Sequence, residues 1–508
     1  MVSNAAINII PTGEATGIIH VKERSPIHVF GTESIRATFG QETLEQAKNA
    51  RMCPGVTDVV LTPDAHVGFG APIGCVMVSP THIYPGPVGV DINCSMSLLQ
   101  FDLPEEALQG DKKFRRAIIQ AIERRVPTGY KKISKSKPRR YSLELIERAL
   151  IEGATPDICD AMGIPPKWIS RCEDASRVGH DGTIETLAKR LEKIKNKFAK
   201  GRGGIDKYVD KLMQIGSYGG GNHFGECEVV RLTEQEKSFV ADDERPSVAN
   251  TFGLKDGCIA FLSHCGSRGF GNILATAQFD LLKRKFKLWN VPLPAGDPQL
   301  VYAPLGTKEA NDYIDDMILA ANFATLNHLV IDMLVLEAFQ EIIPGVQGDL
   351  IYYISHNIAR REIINDTPTW VHRKGATRAY PANHFSLKET PFAKTGHPIL
   401  LPGNPIQGSS VMVALDGAKK SCYSVNHGAG RALGRREAVR ALDQATVDSE
   451  FDDADVLTNC RVYPRDEAPA AYKNFNEVIQ SVELAELARE VARLQARFVI
   501  KDSSVPDD

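Results

Sequence analysis

Apolar residues in this chain fall into two textures that alternate along its length. From Asp58 onward, the short apolar runs DVVL, CVMVSP and SMSLLQFDL are separated by TPDAHVGFGAPIG and GPVGVDINC, stretches rich in glycine, proline and aspartate. That is the pattern of buried strands joined by tight loops, with Asp64 and His66 in the first loop. The texture returns from Ile215 in GSYGGGNHFGECEVV, CIAFLSH and CGSRGFG, and again in LIYYISHN, VHRKGATRAYP, ILLPGNPIQGSS, VMVAL and CYSVNHGAGR. Between these blocks, apolar positions recur at helical spacing. They predict a helix over 104–126, with Leu108, Phe114, Ile118, Ile119 and Ile122 on one face, and others over 141–153 and 183–198. Long buried helices are predicted over 308–343, with His328 as a core histidine, and a last helix over 482–495 ending near RFVI and Lys501. Residues 1–50 give short strand-like pieces and a helix near 42–49.

A chain of 508 residues ordinarily divides into two or more domains. Here no internal repeat and no break in composition divides it. The economical reading is a single α+β domain over 1–508: a β-sheet core, flanking helices, a charged helical insert at about 104–205, and a flexible acidic tail at 502–508.

Composition narrows the function classes. A net charge of −3 carries no global sign of nucleic-acid binding, so any polyanion site is local. The densest basic run is KKISKSKPRR at 131–140, preceded by Lys112, Lys113, Arg115 and Arg116. The N-terminal stretch lacks the features of a secretory signal, and no 18-residue apolar segment is apparent, so a cytoplasmic protein without a membrane partner is expected. Ten cysteines without a CxxC pair are expected to be free thiols in a reducing compartment.

Candidate chemistry gathers at strand ends. Asp91 and Cys94 close GPVGVDINC, and His223, His264, His356 and His427 each stand where an apolar strand meets a polar or glycine-rich loop. A lone histidine so placed is usually structural; four of them beside a carboxylate and a thiol point to a polynuclear metal site. Imidazole, thiolate and carboxylate together suit Mn, Fe, Co or Zn and are poor for Ca or Mg. A thiolate can bridge two cations, and paired cations clamp the attacking and leaving oxygens of phosphoryl transfer. Spacing alone leaves open which histidine serves which metal. Around them GGGNHF, CGSRGFG, RKGATR and HGAGR can expose backbone amides to an anion, and three of the four carry an arginine. None is a P-loop or a dinucleotide fingerprint.

The ordered set PDAHVGFGAPIG, GVDINC, GGGNHFGE, SHCGSRGFG, HNIARRE, VHRKGATRA and NHGAGR resembles the signatures of the RtcB family of tRNA-splicing and RNA-repair ligases, from about Pro54 to Lys501. The resemblance implies two Mn(II) ions bridged by Cys94, one with His264 and His356, the other with Asp91 and His223. It implies GTP as substrate, His427 as the guanylylated nucleophile and Asp64 as the carboxylate that orients it. Nucleotide contacts would fall on Asn222, Phe224, Glu226, Asn404, Ser410, Tyr472 and Lys501, and phosphate or RNA contacts on Arg268, Arg373, Lys374 and Arg431. The expected reaction joins RNA 2′,3′-cyclic phosphate or 3′-phosphate ends to 5′-hydroxyl ends, by a monomer or homodimer, with an archease-like activator as a possible partner. Two departures stand out. The family's PGSMGTAS-like turn reads PGNPIQGSS here, with Asn404 in place of serine, and Lys501 is followed by DSSVPDD. The altered turn keeps two alternatives open: an RNA-end phosphodiesterase or phosphatase, and a non-catalytic RNA-end-binding paralogue.

Overall fold

The computed structural model describes residues 6–108, 112–129, 140–177, 181–239 and 246–502. Two sheets carry the molecule. A seven-stranded sheet runs in the order Ile10–Gly13, Thr16–Ile19, Ile27–Phe30, Asp58–His66, Ile73–Ser79, Thr367–Lys374 and Asn357–Ile364. A larger sheet runs Gly348–Ser355, Ser95–Pro104, Cys258–Cys265, Phe224–Leu232, Ala488–Lys501, Gly408–Ala414 and Pro398–Asn404, with Leu457–Thr458 lying parallel to Ala488–Lys501. The last strand of one sheet and the first of the other are consecutive in sequence, with His356 alone between them. The architecture is α+β, as the texture predicts.

A single 35-residue helix, Lys308–Ile342, stands where long buried helices are predicted. Its most apolar 18-residue window has a mean hydropathy of 1.6, which corrects the expectation that no such segment exists. That window is wholly buried. Strands of the large sheet and the helices Lys112–Arg125, Leu143–Glu152 and Ile184–Lys200 of the insert surround it, and a helix walled by protein on every side is apolar all round. His328 is fully buried in it, between the Ser97 hydroxyl (3.0 Å) and the Cys265 carbonyl (3.1 Å). It is a satisfied core histidine.

Local chemistry explains the elements read correctly. Ser142 and Thr183 cap Leu143–Glu152 and Ile184–Lys200 by accepting hydrogen bonds from Leu145 and Thr186 backbone N–H groups. Other readings are corrected. The helix expected from 104 begins at Lys112, because the strand Ser95–Pro104 and a short 3-10 turn, Glu105–Leu108, occupy the approach. Asp64 and His66 lie at the end of the strand Asp58–His66 rather than in a loop. The helix expected over 482–495 lies earlier, at Phe475–Leu484, and Ala488–Lys501 is a 14-residue strand. Its alanines, arginines and Leu494 favour helix, but pairing with Phe224–Leu232 on one side and Gly408–Ala414 on the other overrides that propensity.

The basic run at 131–139 and the tail beyond Asp502 lie outside the described residues. Arg140 pairs with Glu337 at 2.6 Å and buried Arg115 with Asp455 at 2.8 Å. Arg373 is also corrected. It is fully buried, with its guanidinium forked onto the Glu362 carboxylate at 2.6 and 2.8 Å, so it presents nothing to a phosphate. This pair belongs to a buried network in which Glu173 and Asp174, within the 104–205 segment, meet Arg360 and Arg378. Glu362→Ala is expected to leave Arg373 charged and unmatched in the core, costing about 3–5 kcal/mol. A lowered urea-unfolding midpoint checks this; an unchanged midpoint contradicts it.

Candidate active site

Strand register brings the candidate ligands to one end of the large sheet. Ser95 faces Cys265 on one side and Ser355 on the other, and Phe224 faces His264. Cys94 and His223 each stand one residue before a strand, His264 near the end of one, and His356 just past another. The Asp91–Cys94 turn is closed by the Cys94 N–H on the Asp91 carbonyl at 3.2 Å, with Asn93 in a left-handed conformation (φ 58°). Asn93 Nδ2 donates to the Tyr353 hydroxyl at 2.8 Å, and the His356 N–H donates to the Cys94 carbonyl at 2.9 Å.

Two overlapping groups of donor atoms result: Cys94, His264 and His356, and Asp91, Cys94 and His223, each within 4.8 Å. Cys94 Sγ lies 3.3 Å from His264 Nε2 and 3.5 Å from His223 Nε2, and the His264 and His356 Nε2 atoms are 3.3 Å apart. Metal bonds of about 2.1 Å to nitrogen and 2.3 Å to sulfur give tetrahedral edges of roughly 3.3–3.7 Å, so these separations match a coordination shell. Ring orientation agrees. Nδ1 of His223 donates to the Tyr218 carbonyl (2.8 Å) and Nδ1 of His264 to the Asn222 carbonyl (3.1 Å), which turns both Nε2 lone pairs toward Cys94. Burial, and then neighbouring histidines, hold His264 and His356 far below the ordinary imidazole range. His223 goes the other way: burial lowers it, but Cys265, Cys94 and the 2.9 Å contact of its Nε2 with Asp91 Oδ2 outweigh that. With Nδ1 already donating, this contact needs a proton or a cation between its atoms, and a divalent ion satisfies both groups. Burial first, and Asp91 next, push the Cys94 thiol up; a bound cation reverses this by stabilising the thiolate. The donor set fits borderline divalent metals.

A supporting shell is built from residues the sequence reading missed. Asp91 Oδ1 accepts from the Ser267 N–H at 3.2 Å. Asn327, fully buried in the long helix, accepts from the Gly216 and Ser217 N–H groups (2.7 and 3.2 Å). Its Nδ2 lies 3.2 Å from the Gly266 carbonyl and 3.0 Å from Cys265 Sγ. It therefore ties the His223 loop to the His264 loop. Glu173 of the insert accepts from the Ser355 N–H and hydroxyl (3.0 and 2.9 Å), fixing the residue before His356. A polar residue beside a histidine within an apolar helix is the sequence signal for Asn327; Glu173 offers none.

His427 follows the short strand Ser424–Asn426 and enters from the other side. Its Nδ1 lies 2.6 Å from Asp64 Oδ2 and 3.0 Å from the Gly375 carbonyl, and its ring centroid is 4.7 Å from that of His356. Asp64 is fully buried. Burial alone would raise its pKa, but the His427 hydrogen bond and charge, with a 2.6 Å bond from Thr62, hold it below the usual carboxylate range. Thr62, two residues back on the same strand, shares its face. Lys473 donates to the Pro63 and Ala65 carbonyls (3.0 and 2.8 Å) and clamps the backbone on both sides of Asp64. Gly430, at φ 77°, passes so close that any side chain there would meet the Asp64 backbone.

The other expected contacts divide. Lys501 Nζ donates to the Gly221 carbonyl (3.0 Å) and pairs with Glu467 at 3.2 Å. The Tyr472 hydroxyl donates to Glu467 at 2.6 Å, and Arg431 stacks over the Tyr472 ring at 5.3 Å. Glu467, another residue missed, thus organises three of them; burial would raise its pKa, but Lys501 and Arg435 take it to about 2. Glu226 is buried with Oε1 unpartnered among the described residues, and burial raises it to about 8 although Lys501 opposes. Phe224 meets the His264 ring edge to face, and Asn222 is exposed beside it. Arg268, at φ 55°, donates to the Ser217 hydroxyl at 3.2 Å. Ser410 is fully buried, its hydroxyl unpartnered among the described residues. Asn404 is engaged by its own turn, accepting from the Ile406 and Gln407 N–H groups (3.1 and 2.9 Å). Lys374 is corrected with Arg373: it is buried and donates to the Phe69 and Gly86 carbonyls, clamping loops rather than facing a substrate.

A histidine held by a buried carboxylate and set against two overlapping groups of candidate metal donors, on an α+β scaffold, has the make-up of an enzyme active site. The comparisons agree. The family model described as tRNA-splicing ligase RtcB matches residues 46–502. Proteins named tRNA-splicing ligase RtcB from Pyrobaculum aerophilum and Archaeoglobus fulgidus are each 31% identical to this chain, over 94% of it and 95% of their own length. One of the same name from Thermococcus kodakarensis is 30% identical over the same shares. The chain belongs to the RtcB tRNA-splicing ligase family.

Because Cys94 lies in both donor groups, Cys94→Ser is expected to weaken two metal sites together, whereas Asp91→Ala weakens chiefly one. Co(II) titration followed by visible absorption distinguishes them; a single site lost in Cys94→Ser argues against a bridge. Asn327→Ala is expected to cost about tenfold or more in metal affinity by loosening both histidine loops.

Proposed function

We propose that the protein is a GTP- and Mn(II)-dependent RNA ligase that joins 2′,3′-cyclic phosphate or 3′-phosphate ends to 5′-hydroxyl ends, in tRNA splicing or RNA repair. The observation that carries this reading is the Asp64–His427 pair, at 2.6 Å, set against His356 of the metal donor set. Asp64 takes the Nδ1 proton of His427 in a hydrogen bond, which leaves the Nε2 lone pair for attack and stabilises the positive charge the ring acquires. Attack on the α-phosphorus of GTP forms an N–P bond and breaks the bond to pyrophosphate. The GMP then passes to the RNA 3′-phosphate, and a 5′-hydroxyl displaces it to form a 3′,5′ linkage that keeps the original 3′-phosphate. Two Mn(II) ions on Asp91, Cys94, His223, His264 and His356 would supply the positive charge that offsets charge growing on phosphoryl oxygens. In this reading Glu226, ionised when the base binds, would accept from the ring N–H and amino group of guanine, a pattern adenine lacks, with Lys501, Tyr472, Phe224 and Asn222 around the nucleotide. Ten free cysteines accord with a reducing, cytoplasmic setting, and we read 104–205 as an insert within one ligase domain.

The turn in which Asn404 is held by its own backbone favours a second reading, an RNA-end phosphodiesterase that needs no GTP. Incubation of the Mn(II)-loaded protein with α-labelled GTP separates the two. An acid-labile, base-stable adduct is expected, absent in His427→Ala and formed at least about 100-fold more slowly in Asp64→Asn. Opening of a cyclic phosphate by metal-loaded protein that never labels supports the second reading and rejects the first.

A further inference from the structure

The cations that the sequence offered for RNA are mostly committed elsewhere: Arg115 and Arg140 are paired, and Arg373 and Lys374 are buried and bonded. A different set is not. The helix Gly204–Leu212 packs between the end of Ile184–Lys200 and the start of Arg268–Trp289. Lys197, Arg202, Lys207 and Arg284 line one cleft of about 280 Å³ between these three helices. Among the described residues, no carboxylate lies within ion-pair distance of any of the four or of Lys211, whereas their neighbours Lys189, Arg190, Lys195 and Lys285 are all paired.

The set is also continuous with the active site. Lys207 and Lys211, four residues apart, share one stripe of their helix, while Asp206 and Asp210 occupy the next stripe round. Lys211 lies against Gly269, where a β-carbon in place of the glycine hydrogen would sit 2.8 Å from Nζ. Gly269 follows Arg268, and Arg268 follows Ser267, whose N–H holds the candidate metal ligand Asp91. A series of cations therefore leads from the candidate metal site onto the helical segment: Arg268, Lys211, Lys207, Arg202, Lys197 and, across the cleft, Arg284.

We infer that this line is a track for the sugar-phosphate backbone of the RNA strand whose end lies at the metal centre, and that the insert serves to extend the RNA footprint. The inference rests on the ligase reading and adds where the RNA lies. Cations spaced along a groove bind the regular charge of a nucleic-acid backbone without reading its sequence, and each phosphate contact releases counterions.

The test is fluorescence anisotropy of the full-length protein with a labelled single-stranded RNA long enough to pass the cleft, repeated over a range of salt. Losing three contacts in K197E/R202E/K207E is expected to weaken binding by about tenfold or more and to flatten the slope of log affinity against log salt by about 2. The neutral K197Q/R202Q/K207Q variant should flatten the slope by a similar amount with a smaller loss of affinity. Reversal of three other exposed cations, K388E/K394E/K419E, matches the change in net charge and should leave the slope unaltered. Unchanged binding in the track variants, or an equal loss in this control, overturns the track and leaves the ligase reading intact. A wild-type protein that binds no RNA overturns both.

Discussion

Three buried imidazoles, a buried thiol and the partly exposed Asp91 carboxylate, in contacts of 2.9–3.5 Å, make a demanding contact set. Their lone pairs face one another. Leaving buried polar atoms unmatched costs about 1–3 kcal/mol each, so such a cluster persists only where the scaffold fixes every member and a cation completes it. Most of the local structure can be read as that fixing. Carbonyls of Tyr218 and Asn222 set two ring orientations. Ser267 holds Asp91, Asn327 joins two loops, and Glu173 holds the strand end before His356. These partners come from the sheet, the long helix and the insert, so the site draws on all three layers at once.

This dependence explains the position of His356. One residue separates an edge strand of the large sheet, Gly348–Ser355, from an edge strand of the smaller one, Asn357–Ile364, and that residue is both a candidate ligand and the ring against which His427 packs. Cys94, His223, His264 and His356 of the candidate donor set stand at strand ends of the large sheet. Asp64 belongs to the smaller one, and His427 follows a strand paired with Ala376–Arg378, just past it. His427 and the candidate metal donors are thus brought together at the seam between sheets, and the buried ion network of Glu173, Arg360, Arg378, Glu362 and Arg373 stiffens that seam.

Much of this was legible in the chain because it depends on short-range pattern. Strand textures, caps at Ser142 and Thr183, and the recurrence of histidines at strand ends are local signals, and the ordered motifs carried the family. What failed depended on long-range pairing. Ala488–Lys501 carries helix-forming residues and is a strand because two neighbours claim it. Arg373 reads as a phosphate ligand beside a glycine, and is a core ion pair because Glu362 reaches it from the adjoining strand. Asn327, Glu173 and Lys473 act through partners far away in sequence, Glu467 through a pocket that only the fold assembles, and none of the four carries a motif of its own.

Burial sorts the ionisable groups by role. Arg373 and Arg190 are neutralised by carboxylates, and Glu226 and Glu228 are pushed toward the neutral form because burial outweighs what opposes it. Asp64 and Asp91 behave differently: both are held below the ordinary carboxylate range despite their surroundings, and in each case a histidine ring supplies the offset. An ionised carboxylate taken from water costs several kcal/mol unless it is matched. A scaffold selected for stability alone would place apolar residues there. Each of these two carboxylates thus stands against an imidazole of the candidate site, Asp64 against His427 and Asp91 against His223, an arrangement that folding stability alone does not call for.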